Sequence, residues 1–299
     1  MRDTITLSCF AKVNYTLDVL SRRPDGYHSL ASVMQTVSLC DELRLERAGT
    51  PGIVLECGAP GVPTDETNLA WRAVDVALRA AGRREGVRIL LRKRIPAQAG
   101  LGGGSSDAAA ALAGVDALLD LQLGAERLRS LAAGLGSDVP YFLVGGTAAV
   151  RGRGEAVTAL PDGPPLWFVI ARQGVGVPTA WAYRALDERP GRISARATRH
   201  MEALVRDGDA ARITARMTND FEQVVMEEHP AVAALLDDIV MARARNARLC
   251  GSGSAVFGVA LTESEAEEVA RVVRLRYLDV WVCRAVAASE ARQRARLAD

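Results

Sequence analysis

The 299-residue chain has no surplus of charge: 37 Lys and Arg face 36 Asp and Glu, a formal balance of +1. No broad field is available to gather nucleic acid or to hold an anionic membrane, which leaves room only for local basic clusters. Within the basic set, Arg far outnumbers Lys. Cysteine is sparse and lacks pattern. Cys9, Cys40, Cys57, Cys250 and Cys283 are odd in number and include no CxxC pair. That argues for reduced thiols in a cytoplasmic protein, against a disulfide frame and against a zinc site. The three histidines, His28, His200 and His229, have no metal-ligand spacing, and the last two read as surface residues. The N-terminal MRDTITLSCFAKVNYTLDVL lacks the sustained apolar region of a signal peptide. No uncharged apolar window approaches the roughly 18 residues of a membrane span. Internal repeats and low-complexity segments are also lacking.

What is present is core material. Hydrophobic residues make up 49% of the chain, and the length suits two ordinary domains or one large one. A β-prone run over 5–20 leads into RRPDGYH, where Pro24-Asp25-Gly26 is turn chemistry. Strands are expected near 29–38, 42–47, 52–57 and 86–92. A helix over 68–81 is expected to be capped by Thr67 or Asn68 and stopped by Gly82. A strong Ala-rich helix is read over 106–119. The stretch GLGSDVPYFLVGGTAAVRGRGEAV mixes glycine punctuation with short strands. Asp162–Pro165 is the best linker. Beyond it come a strand at 166–171, helices near 179–187, 195–206 and 231–243, then strands at 247–250 and 254–261, a helix at 263–276 and a strand at 279–287. The tail SEARQRARLAD reads as a frayed, solvated helix. Strands and helices occur in both halves without regular βαβ alternation. The expected class is therefore α+β, with domains over 1–162 and 163–299.

The densest signal is PAQAGLGGGSSDAAAAL, from Pro96 to Leu112. Glycine loses the most backbone freedom on folding, so a cluster of it implies a local gain. Here it separates a strand from a helix whose first amides lack intrahelical partners and sit at the positive end of a dipole. Bare backbone at that point lets a phosphate approach several N–H groups at once. Known phosphate loops do not match. No Lys follows the glycines as in G-x-x-x-x-G-K-[ST], and Gly100-x-Gly102-x-x-Ser105 lacks the third glycine of a dinucleotide fingerprint. The nucleophile elbow G-x-S-x-G is not present in the loop either.

The loop resembles the second motif of the GHMP kinase superfamily. FAKVNYTLDVLSRRPDGYHSL near the N-terminus is similar to one branch of it, the kinases of a cytidine diphosphate-linked methylerythritol in non-mevalonate isoprenoid synthesis. GSDVPYFL at 136–143 and CGSGSAVFG at 250–258 follow in the family's order. The resemblance implies a two-domain fold, an N-terminal domain like domain 2 of ribosomal protein S5 and a ferredoxin-like C-terminal one, with the active site between them. It implies ATP-dependent phosphorylation of the substrate's 2-hydroxyl, with Mg²⁺ arriving with ATP. Partners would be small molecules only, neither nucleic acid nor membrane, and the chain a monomer or weak homodimer. A GHMP kinase of homoserine or a mevalonate-type alcohol, and a nucleotide-binding regulator without catalysis, are the competing readings.

Asp138 matches the family's catalytic carboxylate, although alone it reads as turn or cap chemistry. Lys12, an unusual cation in an apolar strand run, matches the active-site lysine and is expected to pair with Asp138. Strand alternation sets Lys12 and Asn14 on one face. Asn14, Tyr27 and His28 match substrate-binding positions, and Tyr183 matches an aromatic placed against the cytosine, with Trp181 as a neighbour able to do the same. For ATP the resemblance implies the wrapping segment Pro96, Ala97, Gln98, Ala99, Gly100, Leu101, Gly102, Gly103, Gly104, Ser105 and Ser106, with Asn68 and Lys93 near adenine and ribose. Asp107 reads as a first-turn carboxylate, and Gln98 and Ala99 depart from the commoner loop. A second glycine loop, Gly251-Ser252-Gly253, is expected to pack over the first.

Overall fold

The computed structural model describes residues 3–189, 195–292 and 295–296. The chain opens with β1 (Thr4–Arg22) and β2 (His28–Ala48), one long antiparallel hairpin. The two strands expected at 29–38 and 42–47 are thus a single strand. Next come β3 (Gly52–Cys57), α1 (Leu69–Ala80), β4 (Gly86–Arg92), α2 (Gly103–Leu119), α3 (Gly124–Leu135), α4 (Val139–Val144), β5 (Thr147–Gly152) and β6 (Ala156–Ala159). β2 is long enough to pair with β5 through 30–35 and with β4 through 42–48. Between those ladders its edge carries a single bridge, Val37 to Ala285.

Helix α1 begins where expected. The Asn68 side chain accepts from the Ala70 amide at 2.9 Å, satisfying one orphan donor of the first turn. Helix α2 packs along β1 and β2 with nearly all sides buried, which its alanines permit. Gly114 sets the closeness of that contact, because a Cβ there would stand 2.8 Å from Leu7 and 2.9 Å from Leu45.

The second half runs β7 (Trp167–Arg172), α5 (Thr179–Asp187), α6 (Arg196–Asp207), α7 (Ala210–Ala215), β8 (Thr218–Asn219), α8 (Glu222–Glu228), α9 (Pro230–Met241), β9 (Asn246–Leu249), β10 (Val256–Ala260), α10 (Glu263–Val273), β11 (Asp279–Arg284), α11 (Ala288–Arg292) and β12 (Ala295–Arg296). Four of these strands form an antiparallel sheet ordered β11-β7-β10-β9. It is backed by α9 and α10, and it is the ferredoxin-like half of the expected α+β fold. The hairpin of β1 and β2 shares a core with this sheet: Ala11, Val13, Tyr15 and Val33 pack with Phe168, Ile170 and Phe257. Tyr15 and Phe168 stack at 6.3 Å.

The tail corrects the reading of a frayed, solvated helix. Ala291 of α11 is buried beside Phe10 and Val286, and β12 pairs with β1. A Cβ at Gly145 would stand 2.5 Å from Ala291, so the apolar contact is tight. GSDVPYFL also differs from expectation. Val139–Val144 is a helix rather than a strand, started by a proline at its second position, where the missing N–H costs nothing.

Candidate active site

A cavity of about 940 Å³ is walled by β1 and β2, the glycine loop and start of α2, α5, and the Gly251-Ser252 loop. Every expected site residue lines it except Ser106, which α2 buries completely with its hydroxyl unpartnered. Helix α2 starts at Gly103, three residues earlier than the sequence suggests. Ser106 therefore belongs to the helix body, and its N–H donates to Gly102 O at 2.9 Å. The amides of Gly103, Gly104 and Ser105 precede that first bond and have no intrahelical acceptor. Asp107 lies beyond the first turn rather than in it.

Two close approaches shape the glycine loop. Gly100 is left-handed at φ +76°, and a Cβ there would stand 1.8 Å from Cys250 O. Ala255 N donates to Ala99 O at 3.2 Å, so the two glycine loops are zipped together as expected. Gly102, also left-handed at φ +74°, leaves room for Phe142 and for the stem of Lys12. Gly103 turns its Cα face to Ile95 and Lys93, whereas a side chain at Gly104 would enter open space, with Leu69 nearest at 4.0 Å.

Lys12 and Asn14 share the cleft face of β1, while Ala11, Val13 and Tyr15 pack away from it. The Lys12 ammonium, on a residue 3% exposed, donates to Asn14 Oδ1 and to Gly100 O, both at 2.8 Å. The expected pairing with Asp138 does not occur among the described residues, because those two neutral oxygens hold the ammonium instead. Asp138 lines the same cavity and makes no capping bond to α4. Its charge is felt by Tyr183, whose phenol burial and that carboxylate push up to about 12. Burial likewise pushes the Cys250 thiol up to about 12 against the nearby Lys12 ammonium, so this thiol stays neutral.

Lys93 and Asn68 are on the cavity wall, but their polar atoms are engaged. Asn68 caps α1 and donates to Pro63 O at 2.7 Å. Lys93 is clamped between Asp41 and Asp107, at 2.7 Å from Asp107 Oδ2. That places its ammonium beside Gly103, under the helix mouth. Gly61, Val62 and Pro63 complete this end of the wall. Sequence reasoning missed them, since a proline-bearing loop before a helix carries no signal of its own.

At the other end His28 and Tyr183 stack on each other at 4.9 Å with 17° between planes. His28 Nε2 meets Asp187 Oδ1 at 2.6 Å, and Phe221 backs Tyr183 edge-on at 4.9 Å. Tyr27 is 56% exposed at the rim, with Arg153 over its ring at 5.2 Å. Arg22, Arg153 and Arg184 bring positive charge here. None was legible in a chain where arginine is everywhere. Trp181 is outside the cavity lining and packs edge-on to His229, which is half-buried rather than a surface residue.

Comparison with known proteins now bears on this geometry. The family model for the GHMP kinases N terminal domain matches residues 68–146, and that for the GHMP kinases C terminal matches residues 201–278. The 4-diphosphocytidyl-2-C-methyl-D-erythritol kinase of Geobacter metallireducens is 43% identical over 90% of this chain and 94% of its own. That of Moorella thermoacetica is 43% identical over 94% of this chain and 99% of its own. The chain belongs to the 4-diphosphocytidyl-2-C-methyl-D-erythritol kinase family, within the GHMP kinases. A solved 4-(cytidine 5'-diphospho)-2C-methyl-D-erythritol kinase superposes with a TM-score of 0.79 at 36% identity, covering 94% of this chain and 98% of that one. A homoserine kinase from Cytophaga hutchinsonii gives 0.76 at 21% identity, covering 96% of each chain, and shares the fold. Among the described residues, no helix of this family member is long and apolar enough to cross a membrane.

Proposed function

We propose that this cleft transfers the γ-phosphoryl group of ATP to the 2-hydroxyl of 4-diphosphocytidyl-2-C-methyl-D-erythritol. The carrying observation is one continuous cavity with three chemistries in it: unpartnered helix amides, a buried lysine with a carboxylate in the same wall, and a stacked His–Tyr pair. Phosphoryl transfer asks for positioning and charge stabilisation more than for covalent chemistry. The amides of Gly103, Gly104 and Ser105 hold the polyphosphate at the positive end of α2. Lys12, with no carboxylate of its own, supplies positive charge to the oxygens of the group in transit. The substrate hydroxyl attacks the γ-phosphorus, the bond to the β–γ bridging oxygen breaks, ADP leaves, and Asp138 receives the hydroxyl proton. Asn14, whose amide is locked to Ser32 Oγ at 2.9 Å, orients Lys12.

The cytosine belongs at the aromatic end, against Tyr27, His28 and Tyr183. Asp187 fixes the His28 ring there, and His28 and Phe221 fix the Tyr183 ring. Mg²⁺ belongs with the nucleotide, where it would neutralise polyphosphate charge. Ser105, whose residue lines the cavity, is of the hard-oxygen class that ion takes. We assign residues 1–162 and 163–299 as the two domains, since the chain crosses from one sheet to the other between Ala159 and Trp167. The five cysteines form no disulfide, which suits a reducing, cytoplasmic setting.

The test is ADP release with the cytidine diphosphate substrate, with homoserine and with mevalonate. Turnover with the first alone is expected, and Asp138→Asn should lower it by about 10²–10⁴-fold while ATP affinity holds. Turnover with homoserine or mevalonate instead, or near-normal turnover in Asp138→Asn, overturns the reading.

A further inference from the structure

Lys12 and Lys93 are the only lysines among 37 Lys and Arg residues, and both line the cleft. Their environments are opposite. Among the described residues, Lys12 has two neutral oxygens and no carboxylate. The Lys93 side chain, 10% exposed, has two carboxylates, both on fully or nearly buried residues: Asp41 at 0% and Asp107 at 3% exposure. Burial works against the Lys93 ammonium, but Asp107 and Asp41 outweigh it and hold it protonated.

The backbone positions of this triad give it a task. Asp41 lies one residue before the last β2–β4 ladder pair, Glu42–Arg92, opposite Cys9 of β1 and between the β4 and β5 ladders on the other edge of β2. Its Oδ1 accepts from the amides of Arg94 and Ile95, the residues that enter the glycine loop. Its Oδ2 accepts from Lys93, and Lys93 donates at 2.7 Å to Asp107, on the helix that leaves the loop. Both ends of the segment from 94 to 106 are therefore tied to one buried strand carboxylate. The ammonium sits close under the helix start, since a Cβ on Gly103 would come within 3.2 Å of Lys93 Nζ.

We infer that Asp41, Lys93 and Asp107 are positioning residues, a buried ionic staple that pre-sets the glycine loop for a polyphosphate without touching the nucleotide. An anion-binding loop ordered beforehand loses less conformational entropy when the ligand arrives. Removing one member of a buried set leaves the others uncompensated, so the staple acts as a unit. This inference rests on reading the loop as a nucleotide site.

The experiment compares ATP with inorganic tripolyphosphate, which has the phosphates and no adenine or ribose. Binding of each is measured to the wild type, Lys93→Met, Asp107→Ala, the double variant and Asp107→Asn. Lys93→Met should weaken both ligands by a similar factor of about 10 or more, and the double variant should be no worse than the weaker single one. Asp107→Asn keeps an acceptor for Lys93 and should stay within about threefold of wild type. Loss of ATP binding with tripolyphosphate unchanged would make Lys93 a direct base or ribose contact and overturn the staple, as would additive losses. Hydrogen exchange of the unliganded wild type gives a test that needs no variant to fold. The amides of Arg94 and Ile95 should be protected like those of β4, and exchange as fast as an exposed loop overturns the inference. A wild type that binds neither ligand refutes the nucleotide reading itself, whereas equal binding by wild type and Lys93→Met refutes the staple alone.

Discussion

Replacing Gly100 with alanine tests the central geometric claim, that the two glycine loops are pressed together to frame the reacting groups. The new Cβ would stand 1.8 Å from Cys250 O, and real contacts do not fall below 3.0 Å, so the loops must part by about 1.2 Å. The left-handed φ of +76° adds its own penalty, about 1–2 kcal/mol for a residue with a Cβ. Forced repacking adds roughly 1–3 kcal/mol. The total of roughly 2–5 kcal/mol corresponds to a melting temperature lower by roughly 3–8 °C in a chain of this size. The catalytic effect is separable. Lys12 Nζ is bonded to Gly100 O and lies 3.1 Å from where a Cβ on Gly251 would be, so parting the loops moves the ammonium. A displacement near 1 Å costs about 10²-fold in rate. Gly100→Ala is assayed by thermal melting and by ADP release at saturating substrates. A variant that melts within about 1 °C of wild type and turns over at a similar rate would refute the packing argument.

Two further outcomes follow from single positions. A valine at Gly103 meets Ile95 and Lys93 first, so Gly104→Val is the cleaner probe of phosphate space: its side chain enters the open cavity with Leu69 nearest at 4.0 Å. ATP affinity should fall by about 10-fold or more while the fold persists, and titration calorimetry showing unchanged affinity would disprove the placement. Burial lifts the Glu222 carboxyl above its ordinary range, against the pull of Arg248 and the Leu249 amide. Between the ordinary carboxylate range and that raised value the native state binds this proton more readily than the unfolded chain. The group therefore subtracts stability as pH rises through that window and levels off above it. Glu222→Gln keeps an acceptor for the Leu249 amide, so its urea midpoint should gain on wild type across the window. Equal differences at all pH values would contradict this.

The fold was legible wherever one local signal decided an element. Asn68 capped its helix, and β3, bounded by Pro51 and Gly58, and β4 began and ended on the expected residues. The errors came where tertiary context overrode the local pattern. Residues 39–41 fell between two expected strands, yet the chain stays extended there because β1 runs beside it and Asp41 collects two amides from across the sheet. Two glycines and a serine looked like loop, yet they form the first turn of α2, since the helix is held from beneath through Asp107. In the site, motif order picked out residues that share one cavity, but not the partners each one has there. Lys12 was expected on Asp138, and only the packing of the two glycine loops puts Gly100 O within its reach instead.

That substitution of partners bears on how the cleft can work. A carboxylate already bonded to Lys12 would enter the reaction with its charge compensated, and so would the lysine. Here the ammonium is buried on two neutral oxygens, an arrangement whose desolvation is offset only in part. An ammonium has three N–H donors, and two are spent on Asn14 and Gly100. The third is left for an anion, and the anion that reaches it relieves a charge the fold has left uncompensated. Lys93 offers no such gain, because its two carboxylates already outweigh its burial. Of the two lysines in the cleft, the one with the poorer partners is therefore the one suited to grip the phosphoryl group, and the one with the richer partners is suited to hold the loop still.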